Sequence, residues 1–281
     1  MKIRVFHGIY VLPILVILFC SGVIRNDIPI SKYIALANEP RFDCVGKIIS
    51  GKDKFSGSCV LISDRYVLTA GHINFNYVDG QIDMNCQFKD KQYKVKRVTV
   101  YPGFTKKTYN LDMAVIELAE SVNDIKPAIL NNNPKEIGHK CIGVGYGVLK
   151  IANTSPSPTW ASGKLAGENC IDSIGGVPES KSGLASFLIA DFDGPGKFKK
   201  LNVIGSARPY KLEYGLNGGD SGGGMFIKID GKWKLAGIVH GVSHMKDPSF
   251  YGSLQMWSRV SSFYEWIIQT MHDTDPAIAK S

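Results

Sequence analysis

From Cys44 onward, short apolar and β-branched runs alternate with clusters of glycine, asparagine, aspartate and proline. No stretch holds a 3.6-residue apolar period until residue 261. Cys44 to Ile49 and Ser58 to Ile62 predict a first antiparallel pair, and Tyr66 to Thr69 a third strand. Further strands are expected over Gln92 to Val98 and Met113 to Leu118. Ser121 to Asn133, broken by Pro127 and the run Asn131-Asn132-Asn133, reads as a connector. A second set of strands opens at Lys140 to Gly147 and continues over Gly163 to Ile171, Ser186 to Phe192, Lys232 to Val239 and Tyr251 to Trp257. Ser155-Pro156-Ser157-Pro158 marks a loop between them. Phe263, Trp266 and Ile267 then fall at i, i+3 and i+4, which predicts a terminal helix packed on the strands.

The N-terminus follows a different pattern. Lys2 and Arg4 precede an apolar run from Ile9 to Phe19, the form of an export leader. Ala35-Leu36-Ala37 has the small-x-small form of a cleavage site but lies well beyond that run. Two alternatives stay open: an uncleaved anchor over residues 5–24, and lipidation at Cys20, where Phe19 occupies a position that favours a small residue. The expected location is therefore secreted or periplasmic, with membrane contact only through the N-terminal segment.

The chain's 281 residues suffice for one large all-β domain, or two small barrels sharing a cleft, behind a short leader. Net charge is +8; residues 1–37 hold four basic residues and one acid, so +5 remains beyond them. So mild an excess suits an exported protein and does not call for nucleic acid. The most basic stretch, Lys89 to Arg97, reads as the solvated face of an edge strand. Cys44, Cys59, Cys86, Cys141 and Cys170 lie beyond the leader, and export permits disulfides. Cys141 with Cys170 and Cys44 with Cys59 would each join strands expected to be neighbours. The odd number leaves at least one thiol outside such pairs, and without a CxxC pair a zinc ribbon is disfavoured.

The chemistry centres on Leu216-Asn217-Gly218-Gly219-Asp220-Ser221-Gly222-Gly223-Gly224-Met225-Phe226. Glycines at this density are wrong for a helix and poor for a strand, but they let main-chain N–H groups converge on one point beside a hydroxyl. A serine hydroxyl needs a base to take its proton and a third group to orient that base. His72 ends the apolar run Val67 to Gly71, and Asp112 leads into Met113 to Leu118.

These three segments resemble the trypsin/chymotrypsin-like serine peptidases: LTAGH around His72, LDMAVIEL from Leu111, and GGDSGGG around Ser221, in the order His, Asp, Ser. Cys141 to Gly147 resembles that family's CLISGWG strand and turn, and RVSSFYEWI its closing helix. The resemblance runs from about Cys44 to about Met271. It implies an all-β fold of two antiparallel six-stranded β-barrels with a C-terminal helix. The layout is then a leader and pro-segment over 1–37, a peptidase domain over 41–271 with barrels at about 44–120 and 140–260, and a polar tail over 272–281.

Carried over by motif, Ser221 is the nucleophile, His72 the base and acid, Asp112 the group that orients it, and the N–H groups of Gly219 and Ser221 the oxyanion hole. Asp220 matches the acid that receives a new α-amino group when a family zymogen is clipped. The usual IVGG-type start is missing upstream of Cys44, so either another N-terminus reaches Asp220 or other donors hold it. Ile73 follows His72, so the family's bridge beside the base is absent.

The resemblance places Gly215 at the floor of the primary pocket, with Val242, His240 and Gln255 on its walls. No acid stands at the floor, so cleavage after Lys or Arg is disfavoured, although Glu213 lies two residues earlier. His240 replaces a family serine; it bonds Asp112, fills space, or recognises acidic side chains. His240 and His244 are four apart but lack the HExxH glutamate, and Asp191 with Asp193 reads as a polar strand end rather than a calcium site. No metal or cofactor is expected. The expected protein is a monomeric serine endopeptidase acting on protein or peptide. The alternatives are a catalytically silent homologue that binds a partner, and an esterase, whose strand-nucleophile-helix elbow is not expected here because Ser221 is followed by more strand.

Overall fold

Period-two alternation builds the first half. In Met84–Phe88 the side chains of Met84, Cys86 and Phe88 are buried while Asn85 and Gln87 are half-exposed. The computed structural model describes residues 22–51, 54–73, 75, 77–78, 81–154, 163–243 and 250–274. Within it, Val45–Ser50, Lys54–Leu61, Tyr66–Thr69, Ala114–Leu118, Lys91–Val100 and Met84–Phe88 pair in that order and close into a barrel. The basic run is the outer face of Lys91–Val100, with Tyr93 and Val95 turned inward. That strand is paired on both sides, so it is not the edge strand the sequence suggested. Lys96 and Arg97 both reach Glu117 on the neighbouring strand.

The second half is a seven-stranded antiparallel sheet in the order Leu165–Cys170, Lys140–Gly145, Gly224–Ile229, Lys232–Ser243, Leu254–Arg259, Ala185–Asp191, Ser173–Pro178. It curls until Asn169 on the first of these donates its amide to the Asp191 carbonyl on the sixth, at 2.9 Å. Its core holds Leu188, Tyr214, Leu216, Met225, Val239 and Trp257. The helix Val260–Thr274 buries Phe263, Trp266 and Ile267, and Tyr101 of the first barrel packs edge-on against Phe263 and Trp266 at 5.0 and 5.2 Å.

Residues 22–37 belong to the folded unit, where the sequence had suggested a leader and pro-segment. Val23–Ile24 inserts between Lys150–Ile151 and Tyr214–Gly215 and is wholly buried. The helix Ile30–Ala37 follows, burying Tyr33 and Ala37, so the Ala35-Leu36-Ala37 motif is helical. Its signal was hidden because this short apolar stretch runs on from the apolar run before it. Residues 1–21, which hold the rest of the expected leader, Ser155 to Pro158, His244 and the residues beyond 274 lie outside the described residues.

The expected disulfides are absent: Cys44, Cys59, Cys86, Cys141 and Cys170 are all free. Cys141 sits opposite Asn169 and Cys170 opposite Lys140, so the pleat turns the two thiols to opposite faces. Gly46 pairs with Cys59 and the Cys44 carbonyl takes the Leu61 amide, so Cys44 and Cys59 are diagonal neighbours. Diagonal separation is about 7–8 Å, beyond disulfide reach.

Candidate active site

The strand Tyr66–Thr69 delivers His72 to the cleft between the halves. Across from it, Leu111 adopts a left-handed φ of 55° and turns the chain so that Asp112 is wholly buried. Asp112 Oδ1 accepts the His72 amide at 2.7 Å and Oδ2 accepts His72 Nδ1 at 2.6 Å. A carboxylate only accepts, so the ring carries its proton on Nδ1 and leaves Nε2 free as a base. Nε2 lies 2.8 Å from Ser221 Oγ. Burial is the largest influence on Asp112 and pushes its acidity the wrong way; the hydrogen bonds from His240 and His72 outweigh it and hold the carboxyl below its ordinary range.

The Ser221 loop is held from both halves. Ser58 donates its amide to the Ser221 carbonyl and its hydroxyl to the Gly219 carbonyl. Gly219 and Gly222 have φ of 93° and 86°, and a Cβ on Gly222 would lie 2.1 Å from the Ser58 carbonyl oxygen. Among the described residues no acceptor takes the Gly219 or Ser221 amide, whereas their neighbours Asp220, Gly222 and Gly223 all donate internally.

Asp220 is fully buried, and burial pushes its carboxyl up to about 7 against hydrogen bonds from Asn217, Tyr214 and Gly147. The Tyr214 hydroxyl reaches both of its oxygens, at 3.2 and 3.3 Å.

The surroundings of Gly215 are crowded. Phe192 lies 3.1 Å from where a Gly215 Cβ would stand. Gln255 is wholly buried, accepts the Leu216 amide at 2.5 Å and donates to the Ser253 carbonyl and hydroxyl. Val242 is its partner across the ladder. Glu213 is buried with Oε2 on the Tyr210 amide at 2.6 Å.

A family model described as Trypsin matches residues 36–180, just over half of the chain. The chain belongs to the trypsin family. It is 29% identical to serine protease filzig of Drosophila melanogaster over 208 residues, 68% of this chain and 11% of that protein. It is 32% identical to snake venom serine protease KN5 of Trimeresurus stejnegeri over 122 residues, 40% of this chain and 46% of the relative. The chain thus spans less than half the length of either relative.

Of the residues that the trypsin-family motifs single out, the structure brings His72, Asp112 and Ser221 into one hydrogen-bonded line. Val242 pairs with Gln255, which accepts the amide of Leu216 next to Gly215, and His240 joins the His72–Asp112–Ser221 line through Asp112, with Nδ1 2.7 Å from Oδ2. The donor atoms of His72, Asp112 and His240 lie within 4.8 Å of one another, but both imidazoles are turned onto the carboxylate at hydrogen-bond distance, so a metal would have to part them. Asp191 ends the strand Ala185–Asp191, as the sequence suggested, and is buried together with Asp193 and Glu213, while the charges of Asp191 and half-buried Asp172 help to raise Asp193. Sequence reasoning missed Ser58, Tyr214 and Phe192. None sits in a motif; each is brought in by packing between strands far apart in the chain.

Proposed function

We propose that the chain is an exported serine endopeptidase that cleaves peptide bonds through an acyl-enzyme on Ser221. The observation that carries this reading is the 2.8 Å approach of Ser221 Oγ to His72 Nε2, with Nδ1 of the same ring 2.6 Å from a buried carboxylate. Ser221 Oγ attacks the scissile carbonyl carbon as its proton passes to Nε2, and Asp112 stabilises the imidazolium so formed. The oxyanion accepts from the Gly219 and Ser221 amides. The imidazolium then protonates the leaving amine, and water repeats the sequence on the ester.

The crowded pocket supports a small, uncharged residue before the scissile bond. Gly215 offers no acid, Glu213 is engaged elsewhere, and Gln255 and Phe192 occupy the space a long side chain would need. Asp220 is read as the acid that sets the shape of the Ser221 loop, and its bonds to Tyr214 and Asn217 support a loop that other donors hold ready.

The test is digestion of an unfolded protein by the purified chain, with cleavage sites mapped by mass spectrometry. Cuts after Ala, Ser, Gly or Val that vanish in Ser221→Ala are expected. Equal cutting by Ser221→Ala, or none by either, contradicts the reading, and the second outcome favours a silent homologue that binds a partner. N-terminal sequencing of the exported protein locates the leader's end.

A further inference from the structure

His240 sits where the ladder between Lys232–Ser243 and Leu254–Arg259 slips: Val239 pairs with Trp257, but Gly241 already pairs with Met256. The bulge frees His240 from the strand's alternation and aims its side chain at Asp112. Its ring lies against Phe187 with centroids 4.7 Å apart, and it stands T-shaped to the His72 ring at 6.0 Å and 88°. Its Nδ1 is 2.7 Å from Asp112 Oδ2, the oxygen that His72 Nδ1 reaches at 2.6 Å. Two lone-pair positions on that oxygen are thus taken by two imidazoles, each donating from Nδ1.

We propose that His240 is a positioning residue that shares the Asp112 charge with His72 and competes with it for a proton. The inference rests on the triad reading above. A proton on either Nε2 makes one imidazolium beside the carboxylate, whereas a second sets two cations against a single negative charge. Protonation of such a pair is coupled and proceeds in two steps. After the first step the proton is divided between the rings, so some molecules keep His72 Nε2 free to accept from Ser221 while His240 carries the charge. Tyr109 stands edge-on to the His72 ring with centroids 6.0 Å apart. Phe187 covers His240 without charge, and Ser258 bonds only the Asp112 main-chain carbonyl.

Two readouts on the full chain test this: kcat/KM for a peptide substrate through the acid range, and proton NMR of the downfield imidazole N–H signals. The wild type is expected to lose activity over a range at least about one pH unit wider than a one-proton curve allows, with two downfield signals. His240→Gln keeps an amide donor for Asp112 but cannot take a proton. It should give a one-proton limb and one signal, whatever its rate at the plateau; His240→Asn serves if the first variant does not fold. A one-proton limb in both wild type and variant, or the same number of signals in both, overturns the proposal. The signals need no turnover, so a chain without peptidase activity would refute the triad reading while the spectrum still decides the role of His240.

Discussion

Ser58 donates its amide to the carbonyl of Ser221 at 2.8 Å, which ties the strand Lys54–Leu61 of the first barrel to the nucleophile carried by the other half. The same residue's hydroxyl donates to the Gly219 carbonyl at 3.3 Å and accepts the Tyr146 amide at 2.9 Å. Ser221 is therefore fixed by the seam between the halves as well as by its own loop.

Gly222→Ala should break that seam. Its Cβ would meet the Ser58 carbonyl oxygen at 2.1 Å and Thr69 Oγ1 at 2.2 Å, at a φ of +86° that L residues rarely adopt. A stability loss of at least about 2 kcal/mol is expected from strain and clash together, with kcat reduced at least about a hundredfold as Ser221 leaves its place. Ser58→Ala removes only hydroxyl bonds and should cost about 1 kcal/mol. Urea unfolding of both variants beside the wild type checks the order; equal stabilities would contradict it.

Gly219→Val addresses the oxyanion hole. The left-handed φ of 93° is closed to a β-branched residue, so the amide turns away from the carbonyl it would serve. Loss of one such donor lowers kcat by about 100- to 1,000-fold, with KM changed much less. Steady-state kinetics on a small ester reads this directly, and a kcat within a few-fold of wild type would remove Gly219 from the mechanism.

The segments carrying His72, Asp112 and Ser221, five of the six strands of the first barrel and the closing helix were legible because each has a local signature, whereas the strand Met84–Phe88 and the order in which the strands pair were not. The Tyr66–Thr69 strand that ends near His72 and the Phe263, Trp266, Ile267 spacing are written in consecutive residues. The strap over residues 22–37 was not legible, since Val23 and Ile24 extend an apolar N-terminal run and no local feature shows that they are sheet. Nor could spacing show that Cys141 and Cys170 face opposite ways, because a one-residue offset in register decides it. His240 shows a further limit: only the bulge at Val239 and Gly241 reveals where its ring points.

In the proposed reading, Gln255 sets the depth of the primary pocket. Gln255→Gly should shift preference toward larger side chains before the scissile bond, raising kcat/KM for leucine over alanine substrates at least about tenfold. It should also lower stability by about 1–3 kcal/mol, since the buried Leu216 amide loses its acceptor. A matched peptide series with a thermal melt tests both; an unchanged preference would place the specificity elsewhere.

The buried acids make stability fall as pH rises. Burial, helped by neighbouring negative charge, pushes Asp172 up to about 6 and Asp193 up to about 7, and burial raises Asp191 and Glu213. Asp220, raised by burial to about 7, acts the same way. These carboxyls hold protons more tightly folded than unfolded, so their ionisation costs stability from about pH 4 up through about pH 7. Asp112 and Glu179 are held low and work in the opposite sense, losing their contribution only as pH falls below the ordinary carboxylate range. The Tm of Ser221→Ala should be higher at about pH 5 than at about pH 8, and Asp193→Asn should flatten the slope. A Tm that climbs across this interval would contradict the assignment.

A Ser221 hydroxyl made nucleophilic by His72 should react where an ordinary serine does not. A fluorophosphonate probe reacts with such a serine and with few others, and peptide mapping by mass spectrometry locates the adduct. The structure predicts stoichiometric modification of Ser221 in the wild type, none in Ser221→Ala, and a rate at least about a thousandfold lower in His72→Ala. An adduct on another residue, or labelling of Ser221 that His72→Ala leaves unchanged, would contradict the account.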